Sequence, residues 1–244
     1  MENFRNQHVR DIVNEDYRAA DVFRKWNINY CCGGNVTLAE ACSRQKIDVN
    51  TVISELEQSQ QTISLPTNVI SKQWPLDFLV DYIVHIHHAY IRRTGEELRV
   101  QLAAFVEGHR TEYPHLAEVK EAADELIAEL LEHIAAEEEQ IFPYIKQISS
   151  TFNRKESYGS LFVRTLRKPL HKMNEPEHRR INALLERLRA LTRQYTIDDG
   201  VCTNYRVIYK KLSEFDTDLV QHQHLEDEVL IPRAVQMEKA LLHL

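Results

Sequence analysis

The chain has 244 residues with 37 acidic and 30 basic side chains, a formal net charge of −7, enough for one large domain or two unequal ones. Six glycines and seven prolines are too few for a turn-rich sandwich or barrel, so the chain is expected to be mostly helix. The acidic balance, without a Lys/Arg cluster, excludes a general binder of nucleic acid or of anionic membranes. No apolar run approaches the roughly 18 residues of a membrane span and the first residues are polar, so a cytoplasmic address is expected. Four cysteines do not make a disulfide framework in a chain this long, and a reducing compartment would keep them as thiols. Twelve histidines against six glycines is the unusual figure, and where they fall decides the reading.

Residues 1–57 read as a small helical module. Val9, Ile12, Val13, Ala20 and Phe23 form an apolar stripe at helical spacing that ends before Asn27. After the loop Asn27-Ile-Asn-Tyr-Cys-Cys-Gly-Gly-Asn35, Thr37 with Glu40 makes a capping box for a short helix ending near Gln45. Asp48 caps a third helix carrying Val52, Ile53 and Leu56. Residues 58–74 turn polar and irregular, and predict a linker.

Residues 75–244 predict four long helices, at about 75–107, 115–148, 166–196 and 204–242, joined as an antiparallel up-and-down bundle. Pro143 and Pro232 sit near the ends of the second and fourth and would kink or stop them. They close two matching phrases, His133-x-x-x-Glu137…Pro143 and His222-x-x-x-Glu226…Pro232, an internal repeat that makes those helices equivalent.

The core stripes of these helices carry the chemistry. One runs Leu212, Phe215, Leu219, His222, Glu226, Val229, and another Leu126, Leu130, His133, Glu137, Ile141. The remaining two read His178, Ile181, Leu185, Leu188 and Val84, His88, Ile91. Each helix thus offers the interior a histidine, and two add a glutamate. A buried unpaired carboxylate costs several kcal/mol, so two in one core need strong partners. Histidine and glutamate four apart lie about 6 Å apart on one helix face, which suits shared cations. Four imidazoles and two carboxylates without a thiolate are too many for one tetrahedral zinc. They fit two six-coordinate irons bridged by the carboxylates, with positions open for a small molecule. Other four-helix di-iron sites use Glu-x-x-His, where this chain has His-x-x-x-Glu. His85, His87, His109, His115, His171 and His224 are set aside as non-ligands, His87 and His171 being the nearest substitutes. Glu129 and Glu177 are candidates to orient imidazoles from outside.

Tyr30-Cys-Cys-Gly-Gly-Asn35 followed by Thr37-Leu-Ala-Glu-Ala-Cys42, ahead of the two repeated phrases, resembles the di-iron iron–sulfur cluster repair family of the RIC or ScdA type. Those proteins join a Cys-Cys module to a hemerythrin-like domain, and the resemblance covers nearly the whole chain. It implies a bacterial cytoplasmic stress protein, a homodimer, that restores iron–sulfur clusters damaged by nitric oxide or peroxide, as a repair protein or iron donor rather than a conventional enzyme. By motif it implies His88, His133, Glu137, His178, His222 and Glu226 as ligands of two non-haem irons. Damaged iron–sulfur proteins would be the clients, and nitric oxide or oxygen the small ligands. The third helix departs most, with Arg179-Arg180-Ile181 after His178 where the family commonly has an acidic residue and then a glycine. A hemerythrin-like gas binder or a nitric oxide or peroxide reductase are the competing functions. The Cys-Cys module argues against the first.

Adjacent Cys31 and Cys32 hold their Cα atoms about 3.8 Å apart, shorter than the roughly 4.4–6.8 Å usual for a disulfide, so a mutual bridge would be strained. Two thiols on a loop loosened by Gly33 and Gly34, able to touch iron, a nitrosyl or a client, are expected to be the reacting groups. Cys42 and Cys202 read as small buried apolar residues.

Overall fold

The computed structural model describes residues 2–31, 34–60, 73–165, 170 and 175–243. Among these the chain is helical without a strand, and one isolated antiparallel bridge joins His8 to Thr37. None of the described helices is long and apolar enough to cross a membrane. Chain contacts divide the molecule into two units, Met1–Thr67 with Tyr195–Leu212, and Asn68–Gln194 with Ser213–Leu244.

The first unit holds α1 (Glu2–Asn6), α2 (Val9–Glu15), α3 (Ala19–Lys25), α4 (Leu38–Gln45) and α5 (Val49–Gln60). The single helix expected to carry the apolar stripe from Val9 to Phe23 is broken in two. Asp16 turns to an extended backbone, and its carboxylate accepts from the Arg18 backbone N–H (3.0 Å) and guanidinium (2.7 Å). A short acid that bonds the backbone two residues on offers the chain a turn in place of another helical bond. The apolar residues stay in register and all pack into one cluster with Leu38, Cys42, Val52, Ile53 and Leu56. Val207, far along the chain, is buried in the same cluster. The Thr37–Glu40 capping box is formed, and α4 ends at Lys46 in the left-handed conformation. Asp48 caps α5 through Asn50 N–H (3.2 Å) and the Thr51 hydroxyl (3.0 Å).

Burial pushes the Asp16 carboxyl up, but Arg18, through its side-chain and backbone hydrogen bonds and its charge, outweighs this and leaves it below the ordinary value. A depressed carboxyl stabilises the fold above its unfolded pKa of about 4 and loses that contribution as pH falls through the folded value. Asp16→Asn should therefore cost about 1–2 kcal/mol near neutral pH, the size of a lost hydrogen bond to a charged group. Urea unfolding of variant and parent should converge as pH drops below about 4.

The second unit is built from long helices interrupted by π-helical segments. α6 (Leu76–Tyr82) passes through Ile83–His88 into α7 (Ala89–His109), and α8 (Leu116–Ala136) passes through Glu137–Ile141 into α9 (Phe142–Arg154). After α10 (Gly159–Arg164) and α11 (Glu175–Leu191), α12 (Thr203–His224), which belongs to this unit from Ser213 onward, passes through Leu225–Leu230 into α13 (Ile231–Leu242). α7 packs on α8 and α6 on α9, so the first two long helices run antiparallel, with α8 against α11 and α9 against α13. The second helix runs past its expected end near residue 148 to Arg154, where left-handed Lys155 stops it. For the third, residues 166–169 and 171–174 lie outside the described region, and α11 ends at Leu191 rather than 196, before three successive left-handed residues, Arg193 to Tyr195.

Pro143 and Pro232 neither stop nor end their helices. Each sits in the first turn of a helix resuming after a π segment. A proline crowds the carbonyl four residues back and lacks an N–H to bond it. Here those carbonyls, of Glu139 and Glu228, fall inside the wider π turns. The stripes at Leu126–Ile141, His178–Leu188 and Leu212–Val229 are buried as the spacing predicts. Val84 is the exception and is half-exposed, because the π segment shifts the register so that Ile83 and His87 face inward beside His88.

Candidate metal centre

The six seam residues named from the sequence converge. His88 ends the first π segment, His133 lies in the last turn of α8, Glu137 opens the second π segment, and His178 lies in the first turns of α11. His222 is near the end of α12, and Glu226 lies in the third π segment. Three of the four long helices thus change winding where they present a ligand-type side chain, a common use of π turns. Glu137, Glu226, His88 and His222 are 0% exposed, His133 4% and His178 5%.

The residues form two four-membered groups, His88, Glu137, His222, Glu226 and His133, Glu137, His178, Glu226, each able to bring its ligand atoms within 4.8 Å of one another. Both glutamates belong to both groups, and each divides its two oxygens between them. Glu137 Oε2 faces His88 Nε2 at 3.5 Å while its Oε1 faces His133 Nε2 at 3.4 Å. Glu226 Oε1 lies 2.9 Å from His222 Nε2 while its Oε2 lies 3.5 Å from His178 Nε2. Within each group the imidazoles meet nitrogen to nitrogen, His88 with His222 at 3.0 Å and His133 with His178 at 3.1 Å.

Polar atoms this deep are normally satisfied. Among the described residues the Glu226 oxygens meet imidazole nitrogens, which are themselves paired face to face, and the His133 and His222 Nδ1 atoms have no hydrogen-bond partner. Facing neutral imidazoles can share only one proton between two lone pairs. Cations placed between the nitrogens and the carboxylates would answer all four Nε2 atoms and both acids together, so the donor set fits a metal pair. Protonation agrees. Burial pushes His133 down to about 4, with the neighbouring imidazoles adding to it and the Glu226 charge only partly opposing it. Burial raises the Glu226 carboxyl, yet the charges of His222 and His133 and its bonds to His222 and His88 outweigh that and hold it well below the usual range. A neutral imidazole beside an ionised carboxylate is the form that binds metal.

Outside this shell, Glu138 Oε1 lies 2.7 Å from His88 Nδ1, and Asp227 Oδ1 lies 2.9 Å from His178 Nδ1. Burial lowers the His178 pKa, but the Asp227 hydrogen bond and the Glu226 charge reverse this, so it lies above the ordinary histidine value. Neither acid was singled out from the sequence, although each directly follows a glutamate of the repeat, as Glu137-Glu138 and Glu226-Asp227. Of the two that were, Glu177 comes only within 3.6 Å of His133 Nδ1, and Glu129 pairs with Arg180 at 3.1 Å. His87 is buried but turns to Asp218 (3.0 Å), His85, His115 and His224 are exposed, His109 is half-buried, and His171 lies outside the described residues.

Cys31 is buried in the N-terminal cluster, and its carbonyl accepts from Arg10 at 2.9 Å. Cys32 and Gly33 lie outside the described residues. Gly34 is not there for freedom of motion. A Cβ on it would sit 2.3 Å from the Tyr30 carbonyl oxygen and 2.9 Å from Arg10 Cβ, so the glycine serves a close backbone approach. Gly34→Ala should therefore destabilise the first unit by roughly 1–3 kcal/mol, the cost of overpacking, read as a lower urea midpoint. Cys42 is buried, and burial raises its thiol pKa, which suits an inert packing residue.

Two family models match the chain: ScdA_N, described as a domain of unknown function (DUF542), over residues 5–60, and the hemerythrin HHE cation binding domain over residues 79–234. The chain is 32% identical over 240 residues to the iron–sulfur cluster repair protein YtfE of Citrobacter koseri, covering 97% of this chain and all of that protein. It is 31% identical over 239 residues to the protein of the same name from Escherichia coli O157:H7, covering 96% and 99%. To the iron–sulfur cluster repair protein ScdA of Staphylococcus haemolyticus it is 28% identical over 226 residues, covering 91% and 95%.

Proposed function

We propose a function from the premise that the chain belongs to the family of iron–sulfur cluster repair proteins that join an ScdA-type module to a hemerythrin-like domain. In this reading His88, His133, Glu137, His178, His222 and Glu226 would hold two non-haem irons, with both glutamates shared between the two positions. The chain restores clusters damaged by nitrosative or oxidative stress. The observation that carries it is the division of each buried carboxylate's oxygens between two histidine pairs, an arrangement that one metal would not require.

When bound, the iron pair supplies exchangeable metal for a damaged cluster and a place for nitric oxide or oxygen to bind. The protein's own residues do the rest. The seams of Leu, Ile and Phe around the centre exclude water, and Glu138 and Asp227 hold the His88 and His178 rings in one tautomer, with Nε2 directed inward. Cys31 and Cys32 are the residues proposed to meet the client, in a reducing cytoplasm. A homodimer and that address rest on the family resemblance alone.

Anaerobic incubation of the iron-loaded chain with a dehydratase whose [4Fe–4S] cluster has been nitrosylated tests this. Activity should return in proportion to the repair protein added, with no steady consumption of nitric oxide when a reductant is supplied. Sustained gas consumption without recovered activity would instead make the chain a reductase.

A further inference from the structure

We propose that the two metal positions are inequivalent, with the one between His133 and His178 exchanging its metal and the one between His88 and His222 retaining it, and that Asp227 and Glu138 set the difference. This rests on the two-metal reading above. The repeat makes the halves look alike, since each has one imidazole backed by an acid and one whose Nδ1 has no hydrogen-bond partner. Their surroundings differ in two ways.

The first is the backing acid. The Glu138 oxygen that meets His88 is also held by Arg92 at 2.8 Å, and the His88 ring stacks on Phe142 at 5.4 Å with an interplanar angle of 15°. Asp227 is 48% exposed in its side chain, and among the described residues it has no cationic partner besides His178. An acid in water competes with solvent for its hydrogen bond and fixes an imidazole less firmly.

The second is access. The His88 and His222 side chains are sealed at 0%, whereas the other pair lies beside the half-exposed carboxylates of Asp227 and Glu177, which can receive a hydrated cation as it leaves.

The test follows iron release from the fully loaded, anaerobically reduced full-length chain into excess ferrous chelator, read by the colour of the chelate. Two phases of equal size are expected, one iron each. Asp227→Asn should speed the fast phase roughly 10-fold or more and leave the slow one unchanged, with Asp227→Glu restoring the parent rate. Glu138→Gln should speed the slow phase, and His178→Ala should remove the fast phase while keeping one iron per chain. A single phase carrying both irons, or Asp227→Asn acting on the slow phase, would overturn the proposal while leaving the two-metal reading intact. A chain that takes up no more than one metal at the outset would overturn that reading, and this inference with it.

Discussion

Glu226→Leu should give a folded, helical protein that holds no iron pair, and in the metal-free state it should be more stable than its parent. The two effects have opposite sign, which separates a metal site from a structural ion pair. Glu226 is wholly buried with only imidazoles facing its oxygens, in a stripe that otherwise carries Leu212, Phe215, Leu219, His222 and Val229. Leucine fits that stripe and brings no charge of its own. Replacing a buried charge by a well-packed apolar group is worth about 1–3 kcal/mol when no unpaired charge remains. With metal present the order reverses, since the parent gains binding free energy that the variant cannot. Thermal unfolding with and without iron reads both signs. If metal-free Glu226→Leu unfolds well below its parent, the carboxylate has a structural role that does not depend on metal.

The second large effect concerns the N-terminal cysteines. Cys31→Ser with Cys32→Ser should leave two irons bound, because every proposed ligand lies in the second unit, yet repair of a nitrosylated cluster enzyme should fall at least about tenfold if thiolates make the contact. Cys42→Ser should act mildly and through stability, since that thiol is buried in the core of the first unit. Iron by metal analysis and repair by recovered client activity are read on the same preparations. Undiminished repair by the double variant would reduce the Cys-Cys segment to packing. The burial of Cys31 and the tight seat of Gly34 sharpen the test, because they argue against a loosely swinging loop on this side of the pair.

The centre was legible because burial along a helix follows a period, and His133, Glu137, His222 and Glu226 fall on it where only apolar residues would otherwise be tolerated. The pairing of two histidines with each shared acid was not legible, since it depends on where four helices meet. The π segments left only an indirect trace. A winding change inserts a residue into the period, and Val84, placed inward by strict spacing, turns partly outward while Ile83 and His87 turn in. The matching prolines pointed to those segments, but a proline alone reads equally as a helix stop. Glu138 and Asp227 were hidden by habit rather than by physics. Each follows a core glutamate and so points off the stripe, where an acid looks merely solvated until the neighbouring helix brings an imidazole to it. The break at Asp16 was missed because the apolar stripe continues unbroken across it.

The central claim is a pair of metals held by four histidines and two shared glutamates. Metal analysis of the purified chain, paired with Mössbauer spectroscopy of the same iron-loaded sample, tests it most directly. Close to two irons per chain are expected, present in air as a magnetically coupled ferric pair, with that coupling lost in Glu137→Leu and in Glu226→Leu. A chain that holds one zinc and takes up no iron, or two irons that persist as a coupled pair in both variants, would contradict it.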